Sequence, residues 1–321
     1  SAPGHEFTVR ARTFVLSAGA VENARLLLAS RSLHPAGLGN RHDLVGRYFM
    51  EHPHFCAGWL VPSDPGLLSR LGLYEVHRSA GKPQMLKLRL SEDVMRRERL
   101  LGFCVAPVPR WRAVASKGVQ ALLRLKAGQG SPAANISAAA RDAKGVARFA
   151  TARIQERTRG RGAPNVLKLN AMTEQTPNPS SRVTLADECD EFGVPLAQLE
   201  WHLNPQDMSS IRRAQEIFGR EFARAGMGSM VVEDEGSELP PDLQGGWHHM
   251  GTTRMHTDPR QGVVDPEARV HGSPNLYIAG PSVFPTSGYA NPVLTIVALT
   301  LRLAQHLQAS PRSAQAAENP M

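Results

Sequence analysis

The pattern of apolar and polar positions starts with a short buried run that ends in small residues and then changes period. "RTFVLSAGA" (Arg12 to Ala20) is β-branched and aromatic and predicts a strand from Thr13 to Ser17. "VENARLLLAS" (Val21 to Ser30) then puts Val21, Ala24, Leu27 and Leu28 at helical spacing. A further strand is expected at Phe7 to Val9. A strand that runs through Ala-Gly-Ala into a helix can bring backbone N–H groups against a ligand, as parallel α/β sheets do at their strand ends. The same pattern also fits a plain structural turn, and both readings stand at this point. "LVGRYFMEHPHF" (Leu44 to Phe55) reads as a crossover, because Pro53 disfavours helix at His52.

Short alternating stretches such as "QMLKLRL" and "LGFCVAPV" predict strands between Phe55 and Val108. Helical patterns follow at Trp111 to Lys126 and at Ala133 to Arg157, with a Gly/Pro break between them and the loop "TRGRGAPN" after them. "VLKLNAMTEQ", "SRVTLA" and "PLAQLEWHL" predict three strands of one antiparallel sheet. In "SSIRRAQEIFGREFARAG", Ile211, Ala214, Ile217, Phe218 and Phe222 share a helical face and Gly226 is the stop signal. Near the C-terminus a strand at Asn275 to Ala279 leads through Gly-Pro-Ser to Asn291-Pro292, an N-cap with proline at the first helical position. The helix that follows is apolar nearly all round from Val293 to Leu303, which predicts burial. The tail from residue 309 to 321 is expected to be disordered.

With 321 residues there is room for one large domain or two ordinary ones. No apolar run reaches the ~20 residues of a spanning helix, which points to a soluble protein, cytoplasmic or periplasmic, without a transmembrane segment. Cys56, Cys104 and Cys189 are far apart and show no zinc-type spacing, so no metal site is expected. The net charge of +8 is concentrated in one place. Residues 110–168 hold thirteen Lys/Arg against Asp142 and Glu156, an excess larger than that of the whole chain. With one Trp, one Phe and no Tyr to stack on bases, that stretch argues against nucleic acid. It fits a solvated insertion, an acidic electron carrier or an anionic membrane surface.

The chemistry concentrates in "GGWHHMGTTRMHTDP" (Gly245 to Pro259), where adjacent histidines stand among glycines and threonines. "HHMGTTRM", "GVVDPEARVHG", "NLYIAGPSVFPTSGYANPVLT" and the earlier "VLSAGAVENARLLLAS" together resemble the glucose–methanol–choline flavin oxidoreductases. The likeness is greatest to the branch holding pyranose oxidase and bacterial sugar and polyol dehydrogenases, and "EQTPNPSSRVTL" fits the same branch. It extends in patches from about Thr13 to Leu307. The resemblance implies a mixed α/β fold: a partial FAD-binding α/β domain plus a substrate domain with antiparallel sheet and helices. The expected division is an FAD-domain segment at 1–45, a substrate-binding domain at 46–245 with a basic insertion at 110–168, and a second FAD-domain segment at 246–308.

By this resemblance the family's catalytic histidine, three residues before Gly-Thr, falls on His248, and its second site residue on Asn291. A neutral imidazole suits removal of a hydroxyl proton while hydride passes to the flavin N5. The positions expected to face FAD are Ala18, Gly19, Asn23, Ala279, Gly280, Pro292 and Val293. Gly245, Gly246, Gly251, Thr252 and Thr253 are expected to let backbone approach the ring. Only His248 matches the motif spacing, so His249 is read as a packed or hydrogen-bonded neighbour. His52 and His54 read as surface turn histidines or as the border of a cleft. Asp265 is expected to brace its turn. "GQGSPA" (Gly128 to Ala133) imitates a dinucleotide fingerprint, but it follows a helical pattern and carries Pro132.

No G-x-G-x-x-G unit following a strand is present, so the main grip on the FAD pyrophosphate and ribose is expected upstream of Ser1. The functional reading is oxidation of a small-molecule alcohol, a sugar or polyol CH–OH, with oxygen, a quinone or an electron-acceptor protein as the final acceptor. The alternative is a flavin-free remnant that binds a partner through its basic segment.

Overall fold

In the computed structural model, which describes residues 7–110, 116–147, 149–151, 165–232 and 239–309, the first strand-to-helix turn is made by Gly19. Its φ of 89° is in the region that only glycine enters without strain, and it lets the strand Phe14–Leu16 turn directly into the helix Ala20–Ala29. Phe14–Leu16 pairs in parallel with Leu276–Ile278, Phe14 opposite Leu276 and Leu16 opposite Ile278. Phe7 to Val9, expected as a strand, are irregular and exposed. The fold is mixed α/β, as the resemblance implies.

The chain divides into two compact units. One comprises residues 1–53, 172–210 and 244–321, and the other residues 54–171 and 211–243. In the first, Ala24, Leu27 and Leu28 of the helix pack into a buried cluster with Val45, Phe49, Met50, Val183, Met250 and Ile278. The strands Arg182–Cys189 and Pro195–Glu200 form an antiparallel hairpin. Arg25 ties the helix to it, with Nη2 2.6 Å from Asp190 Oδ2 and Nε donating to the Pro195 carbonyl at 2.6 Å. Asp265 braces its own turn, accepting from the backbone N–H groups of Glu267 and Arg269 at 3.0 and 2.9 Å.

The expected three-stranded sheet does not form. Val166–Thr173 belongs to the other sheet, whose order is Gly228–Val231, Pro53–Pro62, Val166–Thr173, Phe103–Arg110, Leu88–Arg89. The chain leaves that sheet at "TPNPSS", where two prolines remove ladder donors and Asn178 Oδ1 closes a turn on Ser180 N at 2.9 Å. The crossover reading of 44–55 is likewise corrected, since a strand begins at Pro53, where a missing N–H is tolerated at the first strand position.

The helix Val293–Ala309 is the largest departure from expectation. Leu303 is buried, but Val293, Leu294 and Leu301 are 63%, 82% and 61% exposed. Only the face carrying Ile296, Leu299, Leu303 and Leu307 meets neighbouring side chains. Hydrophobicity reports what a helix can bury; whether something covers it is a tertiary fact. Ala309 ends this helix, and the rest of the 309–321 tail lies outside the described residues.

In the second unit, Phe55, Phe103, Phe218 and Phe222 stack with ring centroids 5.7 to 6.1 Å apart. They join the sheet to the apolar face of the helix Pro205–Arg224. A helix at Glu92–Glu98, absent from the hydrophobic pattern, is capped by Ser91, whose Oγ accepts from Val94 N, and Glu98 pairs with Arg213 at 2.5 Å. The first basic helix is Lys117–Lys126, started by Ser116; residues 111–115 of the expected helix lie outside the described ones. The second, Pro132–Arg141, stops at Asp142, and its carboxylate accepts from the backbone of Gly118 and Gly145 instead. Residues 143–147 and 149–151 are helical, while 152–164, with most of "TRGRGAPN", lie outside the described residues.

Gly46 carries the prediction for this framework. It has φ +87°, and an added Cβ would sit 2.1 Å from the Val183 carbonyl oxygen. Gly46→Ala combines a left-handed backbone with a backbone collision, so an expected loss of roughly 2–4 kcal/mol should appear as a lower urea midpoint.

Candidate functional site

Two reciprocal backbone bonds hold the histidine loop against the segment before Pro53: Met50 N to Met250 O at 2.9 Å and Met250 N to Met50 O at 3.0 Å. Gly251 permits this approach, since a Cβ there would lie 2.2 Å from the Tyr48 carbonyl oxygen. Thr252 is fully buried, with its hydroxyl donating to the Ala20 carbonyl at 2.6 Å. Thr253 N and Met255 N donate to the carbonyls of Ser282 and Val283. Gly251, Thr252 and Thr253, expected to let backbone approach a ring, also bring segments of this chain together. Their small size is used to pack backbone on backbone, and Arg254 stacks its guanidinium 4.2 Å over the Tyr48 ring.

The loop closes on a buried charge. Glu51 is 3% exposed, and its Oε2 accepts backbone N–H groups from His52 (3.1 Å), Gly246 (3.1 Å) and His248 (3.0 Å). His249 Nε2 lies 3.1 Å from the other oxygen, Oε1. Burial alone raises the pKa of this carboxyl. The bonds from His249 and from the backbone of His248 and His52 more than offset that, and the net position is below the usual carboxylate range. Glu51 is an anion used to fix the shape of a loop. Gly245 has to be glycine for the same reason, because its Cβ position is 3.0 Å from Glu51 Oε1.

From Glu51 the hydrogen bonds continue round a closed circuit. Glu51 N donates to Gln175 Oε1 at 3.1 Å, and Gln175 N donates to Ser287 Oγ at 3.2 Å. The Ser287 carbonyl is 3.3 Å from His52 Nε2, and His52 Nδ1 is 2.9 Å from His248 Nδ1. Gln175 also accepts from Trp201 Nε1 at 2.9 Å and donates to the His202 carbonyl at 3.1 Å. His52 and Gln175 are both fully buried, and Ser287 is nearly so. Residues from four distant parts of the chain thus define where the His248 ring stands.

Asn291 lies outside this circuit. It is exposed, just ahead of the helix Val293–Ala309, and forms no hydrogen bond among the described residues. It is four positions beyond Ser287, so the loop that carries it is tied to His52 and through His52 to His248. Pro292 is buried and Val293 is exposed.

The remaining predicted positions gather at the ends of the two parallel strands. Gly19 and Gly280 follow Phe14–Leu16 and Leu276–Ile278 with φ of +89° and +122°, and a Cβ on either would meet open space. Ala279 N is bonded to the Leu16 carbonyl at 2.8 Å. Two side-chain-free positions at adjacent strand ends leave backbone open to close approach. Asn23 serves this place from below. Fully buried, it accepts from Ala18 N at 2.9 Å and donates to Ser282 Oγ at 3.0 Å, joining the two turns.

Glu51, His52, Gln175 and Ser287 were not identified as a group from the sequence. The available signal was Glu51 in "MEHPHF": an acid among apolar residues before a strand is unlikely to stay unpaired once buried. His256 and His271 are engaged locally, His256 Nδ1 with Asp258 N and His271 Nε2 with the His256 carbonyl, each at 2.9 Å. Among the described residues no group of three or more His, Cys, Asp or Glu is placed to hold a metal ion, and no helix is long and apolar enough to cross a membrane.

Residues 177–300 match the family model described as GMC oxidoreductase. Over 299 residues, 92% of this chain and 45% of the relative, the sequence is 28% identical to a paromamine 6'-oxidase of Streptomyces fradiae. It is also 28% identical over 308 residues to a 2-methyl-1,2-propanediol dehydrogenase of Mycolicibacterium austroafricanum, covering 95% of this chain and 49% of that protein. In structure the chain is similar to pyridoxine 4-oxidase from Mesorbium loti, with a TM-score of 0.50 at 16% identity over 93% of this chain and 52% of that one, a likeness of fold. The chain spans about half the length of the curated relatives it matches.

Removing the Glu51 carboxylate should release the loop. Glu51→Ala leaves three backbone donors and His249 without their acceptor and is expected to cost about 3–5 kcal/mol in urea unfolding at neutral pH. Because the folded-state pKa is lowered, the Glu51 contribution is complete above the ordinary glutamate range and is lost as pH falls through the folded value. Glu51→Gln should therefore show a weaker loss of stability on acidification than the wild type.

Proposed function

We propose that the chain, whose residues 177–300 match the GMC oxidoreductase family model, supplies the proton-handling part of an FAD-dependent oxidation of an alcohol. The observation that supports this best is the circuit of buried hydrogen bonds that holds the His248 imidazole. The loop bearing it is bonded through Gly251 N and Thr253 N to Pro281 and Ser282, the turn directly after Gly280. The imidazole and the side-chain-free backbone at Gly280 are thereby parts of one framework.

A bound flavin supplies the acceptor for the hydride that leaves the carbinol carbon. The chain's own part is to take the hydroxyl proton, and a neutral imidazole is suited to that near neutral pH, a contribution of roughly 10²–10⁴-fold. Asn291, exposed at the head of its helix, offers an amide to the same oxygen and cannot titrate, so it orients the alcohol. The first turn of the helix Val293–Ala309 provides amide dipoles that favour developing negative charge. Gly19 and Gly280 leave the backbone bare where the cofactor would rest, with Ala18, Ala279, Pro292 and Val293 beside them and Asn23 fixing the turns.

In this reading residues 1–45 and 246–308 face the cofactor, and residues 46–245 carry the substrate-binding part with the basic stretch 110–168. A sugar or polyol is the substrate class, in keeping with relatives named for paromamine and for a propanediol. The apolar positions Phe14, Val15, Val293, Leu294 and Leu301 are exposed.

In the full-length flavoprotein, His248→Ala should lower kcat/KM and the rate of anaerobic flavin bleaching by alcohol about 10²–10⁴-fold, with Asn291→Ala less affected. Activity of His248→Ala within a few-fold of wild type would remove the base assignment. The present chain alone should bind FAD weakly; a yellow preparation with stoichiometric flavin would contradict this.

A further inference from the structure

An imidazole accepts a proton only through the ring nitrogen that lacks one, so the tautomer of His248 decides which nitrogen can act as the base. Neutral histidine side chains in water favour the tautomer with the proton on Nε2. The surroundings of His248 favour the other.

His52 is fully buried, and its Nε2 is 3.3 Å from the backbone carbonyl oxygen of Ser287. A carbonyl can only accept, so that nitrogen carries the hydrogen. The Ser287 carbonyl is itself held, because the Ser287 hydroxyl exchanges hydrogen bonds with the backbone of Gln175, accepting from N at 3.2 Å and donating to O at 3.3 Å. Burial disfavours a second proton on His52. Glu51, its neighbour in the chain, receives three backbone N–H groups on one oxygen and faces His249 with the other. A neutral His52 protonated on Nε2 presents a bare Nδ1, and that atom is 2.9 Å from Nδ1 of His248. Two lone pairs cannot face each other at that distance, so the hydrogen between the rings belongs to His248.

We propose that His52 is a positioning residue that holds His248 as the Nδ1–H tautomer, which makes Nε2 of His248 the atom that takes the substrate's proton. The inference rests on the reading of His248 as the base. When Nε2 gains its proton, His52 continues to accept from Nδ1–H and so stabilises the imidazolium. The direction of transfer runs from the carbonyl of Ser287 to the reactive nitrogen through two rings, in the way a carboxylate orients the histidine of a hydrolase triad.

The test uses two replacements. His52→Asn keeps an acceptor oxygen near the position of Nδ1, whereas His52→Leu keeps bulk and removes the acceptor. In the full chain labelled with ¹⁵N-histidine, the His248 signals are identified by their loss in His248→Ala, and proton–nitrogen couplings report which nitrogen bears hydrogen above the pH of its titration. The wild type and His52→Asn should show hydrogen on Nδ1, and His52→Leu should move it largely to Nε2. In the full-length flavoprotein, His52→Leu should lower kcat/KM roughly 10–100-fold and shift the acid limb of its pH profile downward, since the imidazolium has lost its acceptor. His52→Asn should keep the limb in place. Hydrogen on Nε2 of His248 in the wild type, or a His52→Leu profile with an unmoved limb, overturns the proposal. If His52→Leu fails to fold, the wild-type and His52→Asn spectra still decide the tautomer. Should His248→Ala prove active while the tautomer is as stated, the base assignment fails and the ring geometry stands.

Discussion

A carboxylate taken out of water must be surrounded by donors, and Glu51 makes that requirement the organising constraint of the site. Three backbone N–H groups and one imidazole converge on it, and two of those N–H groups belong to the loop that carries His248. Any rearrangement of this loop exposes a buried charge to unpaired surroundings, so the loop has one favourable conformation. The cost of failure is far larger than the net worth of any single bond, which is how polar contacts can specify a shape that apolar packing alone would leave loose.

The same loop is positioned from its other side by close backbone approach. Gly46, Gly251 and Gly245 stand where a Cβ would meet a carbonyl or the Glu51 side chain. Each absence of a side chain allows two segments far apart in the chain to share hydrogen bonds, as Met50 and Met250 do. Rigidity here serves chemistry, since an acid–base group acts well only when it is held within a fraction of an ångström of its partner. The circuit through Gln175, Ser287 and His52 extends that control to the ring itself.

Away from the site the two kinds of evidence, pattern and packing, separate clearly. The helix Val293–Ala309 is apolar enough for a core, yet one face meets neighbours and the rest is exposed. The parallel pair Phe14–Leu16 and Leu276–Ile278 likewise leaves Phe14 and Val15 partly uncovered. Periodicity describes a segment's capacity to bury surface and is silent about its neighbours. "VLKLNAMTEQ" was expected to pair with "SRVTLA" for the same reason: strand character is local, while the choice of partner is made by the turn at "TPNPSS" and by contacts elsewhere.

What the sequence determined by itself was local and stereochemical. Gly19 had to turn a strand into a helix, Asp265 had to brace its turn, and the spacing of His248 before Gly251-Thr252 marked a candidate histidine. The tertiary structure decided which groups surround that histidine. Glu51, His52, Gln175 and Ser287 are ordinary residues in their own segments, and their meaning arises only when burial removes water and leaves each donor one acceptor within reach. Hydrogen bonding between distant segments depends on distances that no pattern along the chain encodes, and for that reason the candidate histidine stood out in the sequence while the atoms that surround it did not.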